Sequence, residues 1–395
     1  MHILLLPSWY PGHAGDVKGV FFRDQALALL NHGHKVGVIA PMLRSLRTLT
    51  QKSGRRSIPF CEMDMGIPTY REDVLAALPR VPYGNYWLFK RAANVLLKNY
   101  IEHYGKPDIL HAHCTIFGGS AAADLARKYG IPMVLTEHSS GFARNLYADW
   151  QLRLVGKGIA GACSCISVSP SLGEILGKQF VSSKDQWHWI PNVVADRFNA
   201  SKGLKRRHGS FIFLNLALMT ENKGQLELIE AFHSIASDNP TTELWLAGDG
   251  PIKKVLEKKA SELGLSDKVH FLGMVAPEKV PELLGKADVM VVASHYETFG
   301  VVAAEALMTG LPVIATRCGG PECIVEKGDG LLVPTRNPKA LAAAMQKLLE
   351  NIESFDSCSI AKRAHDRFSG SAIAGMLTEE YTRVINANKN ELDCA

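Results

Sequence analysis

A chain of 395 residues is too long for one ordinary hydrophobic core and suits two domains of about 200 residues each. Its 47 % hydrophobic and 21 % charged content excludes a disordered chain, and no apolar run reaches the length of a membrane span; the nearest, residues 301–315, is broken by Glu305 and Pro312. The net charge of +5 is uneven, with 21 Lys and Arg against 13 Asp and Glu in residues 1–190 and a net acidic remainder, and no nucleic-acid-binding signature accompanies the excess.

The first apolar run, residues 3–6, meets Pro7 and a turn at once, so it reads as a strand rather than a signal peptide and predicts a cytoplasmic protein. A Pro- and Gly-containing loop follows, then a helix over 21–31 ended by Gly33, and a strand over 35–40. Strands at 108–113 and 132–136 flank a small-residue helix at 120–129. The second half repeats the pattern, with strands at 211–216, 243–247, 269–272 and 287–293 and helices from about 225 and 252. Short apolar runs alternating with helices predict α/β architecture with doubly wound parallel sheets. The polar, basic stretch 199–210 reads as the linker, placing the domains at 1–195 and 196–371. The eight cysteines form no Cys-x-x-Cys pair and read as reduced thiols, mostly buried. Arg44, Arg47, Lys52, Arg55 and Arg56, then Lys90, Arg91 and Lys98 beside Tyr86, Trp87 and Phe89, read either as a surface for anionic lipid or an acidic acceptor, or as a solvated helix face and loop.

The most informative stretch runs from Ser294 to Leu307, where Glu297 and Glu305 stand eight residues apart after an apolar run. Thr298 is placed to cap a helix reaching about Thr309, Gly310 to end it in the left-handed conformation, and Pro312 to forbid its continuation. Unpaired N–H groups at that helix start suit a phosphate. Glu297 then suits hydroxyls near the phosphate, and Glu305 the two hydroxyls of a ribose. A nucleotide bearing a sugar on its terminal phosphate satisfies both carboxylates.

With the turn Gly319-Gly320-Pro321-Glu322 behind it, this stretch resembles the Glu-x7-Glu signature of the family 4 retaining glycosyltransferases, and the resemblance covers the chain from Met1 to about Asn388. It implies the GT-B fold, two Rossmann-like domains facing across a cleft, with a first acceptor-binding domain, a second donor-binding domain and a closing helix at about 372–390 that packs back on the first. A segment similar to the family's Thr-x-His, Thr136-Glu137-His138, implies that His138 contacts the transferred sugar. Asn222-Lys223-Gly224 implies that Lys223 contacts the donor diphosphate, with Glu297 as its catalytic companion. Donor contacts are further implied for Gly19 in the loop before the first helix and for Gly248 and Gly250 in the turn Gly248-Asp249-Gly250-Pro251. The same holds for Gly273, for Thr298, Phe299, Gly300 and Val301 at the helix start, and for Glu305. The family's arginine upstream of the lysine is replaced here, Ala217 and Leu218 standing in its place, which leaves Arg317 as a further cation for the phosphates. Val193 likewise replaces the glycine of the family's Pro-Asn-Gly segment.

His111 and His113 read as structural or lining residues, since no third ligand accompanies their His-Ala-His pattern, and the chain has no Asp-x-Asp motif. The expectation is therefore a metal-independent hexosyltransferase with no cofactor beyond the nucleoside diphosphate sugar as co-substrate. Its acceptor would be a glycan or lipid-linked molecule in bacterial surface polysaccharide biosynthesis, met at the inner face of the membrane. A nucleotide-sugar epimerase of the same fold and an inactive nucleotide-sugar-binding partner protein are the alternatives. A dinucleotide-dependent dehydrogenase is disfavoured by the missing third glycine of its fingerprint.

Overall fold

In the computed structural model the apolar runs pair into two separate sheets, and residues 1–12, 16, 19–45, 58–78, 81–181, 187–199 and 209–393 are described. Arg47, Lys52, Arg55 and Arg56, and most of the expected linker, lie outside these residues. The chain divides into a first unit of Met1–Val168, Leu172–Val193 and Gly370–Ala395 and a second of Ser169–Ser171 and Val194–Ser369. No helix among the described residues is long and apolar enough to cross a membrane.

The first unit runs β1 (His2–Pro7), α1 (Val20–Asn31), β2 (Lys35–Arg44), β3 (Phe60–Asp64), β4 (Ile67–Leu75), α2 (Gly84–Tyr104), β5 (Ile109–His113), α3 (Ser120–Tyr129), β6 (Met133–Glu137), α4 (Asp149–Ala160), β7 (Ser164–Ser167), α5 (Pro170–Gln179) and β8 (Trp187–Trp189). Strand order is β3-β4-β2-β1-β5-β6-β7-β8. Helices cover both faces, so Ile3 to Leu6 of β1 are fully buried, as parallel strands require. One pairing departs from the expected parallel pattern: β3 and β4 form an antiparallel hairpin at the sheet edge. Met65 and Gly66 turn it with φ of 51° and 88°, the left-handed pair that suits a two-residue hairpin turn.

That hairpin carries a buried charge cluster. Asp64 accepts from Arg23 Nε at 2.8 Å and from Arg71 Nη2 at 3.5 Å, and Arg71 Nη1 donates to the Pro11 carbonyl at 2.5 Å. Both guanidinium groups lie over the ring of Tyr10, at 5.8 and 5.1 Å from its centre. The loop after β1 is thereby tied to the sheet edge.

The second unit runs β9 (Phe211–Leu216), α6 (Gln225–Ala236), β10 (Thr242–Ala247), α7 (Lys253–Glu262), β11 (Val269–Gly273), α8 (Val280–Leu284), β12 (Val289–Val292), α9 (Val301–Met308), β13 (Val313–Thr316), β14 (Gly330–Val333), α10 (Pro338–Asn351) and α11 (Ser357–Phe368). Its six strands are all parallel, in the order β11-β10-β9-β12-β13-β14. One core cluster gathers Phe213, Leu244 and Val291 from one face of the sheet against Leu228 and Phe232 of α6 and Met345 of α10.

The last helix, α12 (Gly370–Asp393), belongs to the first unit. Ile373, Ala374, Leu377 and Tyr381 are at most 1 % exposed in the core with Phe22, Leu29 and Ile109. Thr378 meets His34 Nε2 at 2.7 Å, and Tyr381 meets His111.

Three cysteines, Cys114, Cys165 and Cys318, are buried as expected, but Cys61, Cys163 and Cys358 are exposed because they sit at a sheet edge, beside a strand start and on a helix surface. The expected aromatic rim is also narrower than the composition suggested. Tyr86 and Phe89 turn inward on α2 and only Trp87 of the three faces solvent, because residues three apart share a helix face whereas Trp87 is one residue from Tyr86 and two from Phe89.

Candidate functional site

In each sheet the strand order reverses once, and such a reversal opens a crevice at the carboxyl ends of the two strands involved. In the second unit the reversal lies between β9 and β12, which are neighbours although the chain proceeds from β9 to β10 and β11 on one side and from β12 to β13 and β14 on the other. Lys223 stands in the turn after β9 and Glu297 in the loop after β12. Their side chains meet there, Nζ to Oε1 at 2.5 Å, and Ser294 Oγ donates to the same oxygen at 2.7 Å. The ammonium is 25 % and the carboxylate 15 % exposed, so the pair is largely withdrawn from water yet open to a ligand. Further bonds stitch the two loops together. His295 N donates to the Asn222 carbonyl at 2.7 Å, Asn222 Nδ2 to the Tyr296 carbonyl at 2.9 Å, and His295 Nε2 lies 2.8 Å from Glu227 Oε1.

Two helices begin at this crevice without a side-chain cap, α6 after Gly224 (φ 64°) and α9 after Gly300 (φ 91°). By contrast α10 and α11, away from the reversal, are capped by Asn337 and Asp356. An uncapped start leaves amide donors for an anion. Thr298 is not the cap that its position suggested. Glu297 pairs with Gly319 as an isolated bridge, and Gly300 in the left-handed conformation starts the helix two residues later. The Phe299 ring is 2 % exposed against Phe368, so any contact it makes with a ligand is through its backbone. Val301 and the half-buried Glu305 lie on the first and second turns of α9, roughly 6 Å apart along the axis.

The neighbouring turns are held by backbone. Gly320 N donates to the Glu297 carbonyl at 2.8 Å, and Glu322 accepts from the amides of Cys318 and Gly319 at 3.1 and 2.9 Å. Gly248 N donates to the Gly273 carbonyl at 2.8 Å, and a Cβ on Gly248 or Gly250 would fall 1.9 Å from the Ala217 carbonyl oxygen or 2.3 Å from that of Met219. Gly248 and Gly250 thus form a tight floor to which Gly273 is bonded, with Leu218 and Met274 standing exposed around it at 59 % and 60 %. Arg317 is exposed beyond the end of β13.

In the first unit the reversal lies between β1 and β5. Ser8 Oγ lies between the loops there, donating towards the carbonyls of His113, Cys114 and Ile116 and accepting from Gly118 N at 3.0 Å. Gly19 (φ 79°) begins α1, again without a side-chain cap, and packs under Trp9. His138, at the end of β6, is 8 % exposed and lies against Phe21 and Phe22 of the first turn of α1, with ring centres 5.0 and 5.2 Å away. The structure therefore brings Gly19 and His138 to one place. Burial pulls the His138 pKa down to about 3, opposed only by Asn192, so the ring is neutral at ordinary pH. Glu137, fully buried beside it, accepts from the amides of Thr115, His138 and Ser139 at 2.8, 2.8 and 2.7 Å and from the Thr115 hydroxyl. Burial raises its pKa, and those four donors hold it back.

Motif reading passed over Ser294, Asn222 and Glu137. Glu137 was signalled by its place inside Thr136-Glu137-His138, whereas Ser294 and Asn222 acquire their roles only from loop-to-loop contacts. Among the described residues no cluster of metal-binding side chains occurs.

Residues 19–197 match the family described as Glycosyltransferase Family 4, and residues 196–365 match Glycosyl transferases group 1. TuaC of Bacillus subtilis (strain 168), a glycosyltransferase assigned to teichuronic acid biosynthesis, is 29 % identical over 93 % of this chain and 98 % of its own. Among solved structures, the sucrose-phosphate synthase from Thermosynechococcus elongatus is 23 % identical, with a TM-score of 0.74 over 98 % of this chain and 100 % of that one. Anabaena Alr3699/HepE in complex with UDP-glucose is 19 % identical, with a TM-score of 0.69 over 97 % and 100 %. Both likenesses concern the fold, which is GT-B. Two adjoining family matches that leave only the chain's ends uncovered, together with the site at the β9–β12 reversal, place this chain among the family 4 glycosyltransferases.

Proposed function

We propose that the protein is a retaining glycosyltransferase that moves a sugar from a nucleoside diphosphate sugar to an acceptor hydroxyl, in the assembly of a cell-surface polysaccharide. The observation that carries this reading is the Lys223–Glu297 pair at the β9–β12 reversal, beside the uncapped starts of α6 and α9. A diphosphate there receives amide donors from both helices and the ammonium of Lys223, which together stabilise the charge that builds on the leaving group. Lysine and helix amides take the part that a divalent cation would play elsewhere. Glu297 orients the lysine and, with Thr298, reaches the sugar hydroxyls; Glu305 takes the ribose hydroxyls; the glycine floor with Leu218 and Met274 receives the base. His138 donates to the transferred sugar, and the leaving phosphate takes the acceptor proton. The UDP-glucose bound to HepE and the role assigned to TuaC support the donor class and the polysaccharide setting.

The acceptor is a glycan or lipid-linked molecule presented at the inner face of an anionic membrane. Trp87, 57 % exposed, stands with Lys90, Arg91, Arg127 and Lys128 around a cavity of about 450 Å³ on the first unit; Asp124 in the same lining pairs with Lys90 and Arg127, and the net positive charge that remains suits anionic head groups.

A thermal-shift panel of UDP-, GDP- and ADP-sugars identifies the donor, because a ligand bound to the folded state raises apparent stability. Transfer is then followed by NMR, reading the anomeric configuration of the product with and without acceptor. Retained configuration in an acceptor-dependent product is expected. Conversion of the donor without acceptor would make the protein an epimerase, and no stabilisation by any nucleotide sugar would overturn the proposal.

A further inference from the structure

Three histidines, His111, His113 and His138, lie together at the ends of β5 and β6, and they are not equivalent. His111 is satisfied at both nitrogens, by Tyr381 Oη at 2.6 Å and Thr136 Oγ1 at 2.7 Å. His113 and His138 share one hydrogen bond, from Nδ1 of the former to Nε2 of the latter at 3.1 Å. Their remaining nitrogens, Nε2 of His113 and Nδ1 of His138, are buried with no hydrogen-bond partner. Asn192 lies near enough to His138 to favour its charged form without bonding Nδ1. A buried polar atom without a partner is uncommon enough to require a reason.

Two neutral imidazoles joined by one hydrogen bond share a single bridging proton, so their tautomers are locked together. If His138 donates from Nε2, its Nδ1 is a bare acceptor and His113 is left with an unpaired N–H in a fully enclosed position. If His113 donates from Nδ1, its own Nε2 keeps only a lone pair, and the unpaired N–H moves to Nδ1 of His138. Both nitrogens are enclosed, so the unpaired N–H is better placed on the ring nearer the surface, where a ligand can meet it. His113 is 0 % exposed, packed on His111 with tilted rings whose centres are 4.2 Å apart and against Phe22 at 5.1 Å, whereas His138 retains 8 % exposure at the strand end.

We propose that His113 is a positioning residue that holds His138 as the Nδ1–H tautomer, so that His138 offers a hydrogen-bond donor to the ligand at the first unit's crevice. Glu137 completes the arrangement by fixing the backbone on either side of the ring. This inference rests on the proposed role of His138 in sugar transfer.

The test uses the full chain labelled with ¹⁵N in its histidine rings. Long-range proton–nitrogen spectra assign the His138 tautomer, with His138→Gln identifying its signals. The wild type should show Nδ1 protonated. His113→Phe keeps a ring but removes the donor; it should release His138 into the other tautomer or a mixture. It should also lower kcat by about 10- to 100-fold, the range for losing one hydrogen bond to developing charge, with donor KM changed by less than about twofold. His113→Asn places an amide N–H where Nδ1 stood and should restore both the Nδ1–H signature and most of the turnover. Should His113→Phe not fold, the Asn variant and the wild-type spectrum still decide the question. An Nε2–H tautomer in the wild type, or His113→Phe with unchanged spectrum and kcat, overturns the inference. Full turnover in His138→Ala would instead overturn the role of His138 in transfer, while the spectra would still report whether His113 sets its tautomer.

Discussion

Lowering the pH from about 7.5 to about 5 should unfold the first unit ahead of the second. His111, His113 and His138 are the buried histidines among the described residues, and all belong to the first unit. Burial brings His111 and His138 down to about 3 and His113 well below its usual range. A histidine whose pKa is depressed by folding adds stability above its unfolded value, and that stability is lost as pH falls towards the folded one. With an unfolded pKa of about 6.5, each unfolded ring at about pH 5 binds a proton that the folded ring refuses, at a cost of about 2 kcal/mol. The figure does not depend on the exact folded values, provided that they lie well below 5. Three rings give an upper limit of about 6 kcal/mol, comparable with the whole stability of many domains. Glu137 acts in the opposite sense, because its raised pKa makes protonation in the folded state easier and offsets part of the loss. Urea titrations followed by tryptophan fluorescence suit the measurement, since Trp9, Trp87, Trp150, Trp187 and Trp189 are in the first unit and Trp245 alone is in the second. His138→Gln should reduce the difference between the two pH values by about 2 kcal/mol. An unfolding midpoint that stays put between these pH values, or a His138→Gln variant that loses as much as the wild type, would refute neutral burial of the cluster.

Glu305→Ala should weaken donor binding by about 1.5–3 kcal/mol, the range for hydrogen bonds to a charged group, as read by calorimetry; an unchanged dissociation constant removes it from the ribose. His138→Ala should lower turnover strongly while nucleotide affinity changes little, and lost affinity with normal turnover at saturation would reverse that assignment. Lys223→Met should weaken nucleoside diphosphate more than the bare nucleoside, which competition binding separates; equal losses would place the ammonium away from the phosphates. Gly224→Ala should destabilise by about 3 kcal/mol and Gly300→Ala by about 1 kcal/mol in urea titrations. Both pay for a left-handed backbone, but a Cβ on Gly224 falls 2.0 Å from the Ala293 carbonyl oxygen, whereas the nearest atom to one on Gly300 is 3.5 Å away. Equal costs would mean that the close approach at Gly224 relaxes freely.

Much of the fold was legible because its strands are short, apolar and buried on both faces. The runs read at 211–216 and 120–129 coincide with β9 and α3. The β3–β4 hairpin escaped, since its turn uses Met65 rather than a residue that signals a left-handed conformation, and its strands carry Glu62, Asp64 and Arg71 that are charged for the sake of the cluster on Tyr10. At the candidate site, Lys223 and Glu297 were legible one by one through their motifs. Their direct pairing was not, because they are 74 residues apart and meet only when β12 returns beside β9. Thr298 misled because cap chemistry reads a side chain, whereas the backbone at Gly300 decided where the helix begins. The bond between His113 and His138 was hidden for the same reason as the ion pair: it depends on the register of β5 against β6, in which His113 stands opposite Thr136.

The return of α12 to the first unit bears on how this protein is made. Tyr381 reaches His111 across 270 residues, and Ile373 and Leu377 close a hydrophobic wall that β1 and α1 open far earlier in the chain. While α12 is still inside the exit tunnel, the second unit has all of its strands outside it, whereas the first still lacks part of its interior. Order of emergence and order of completion are thus inverted: the half synthesised first waits, with its apolar flank bare, for α12 to emerge after the second unit.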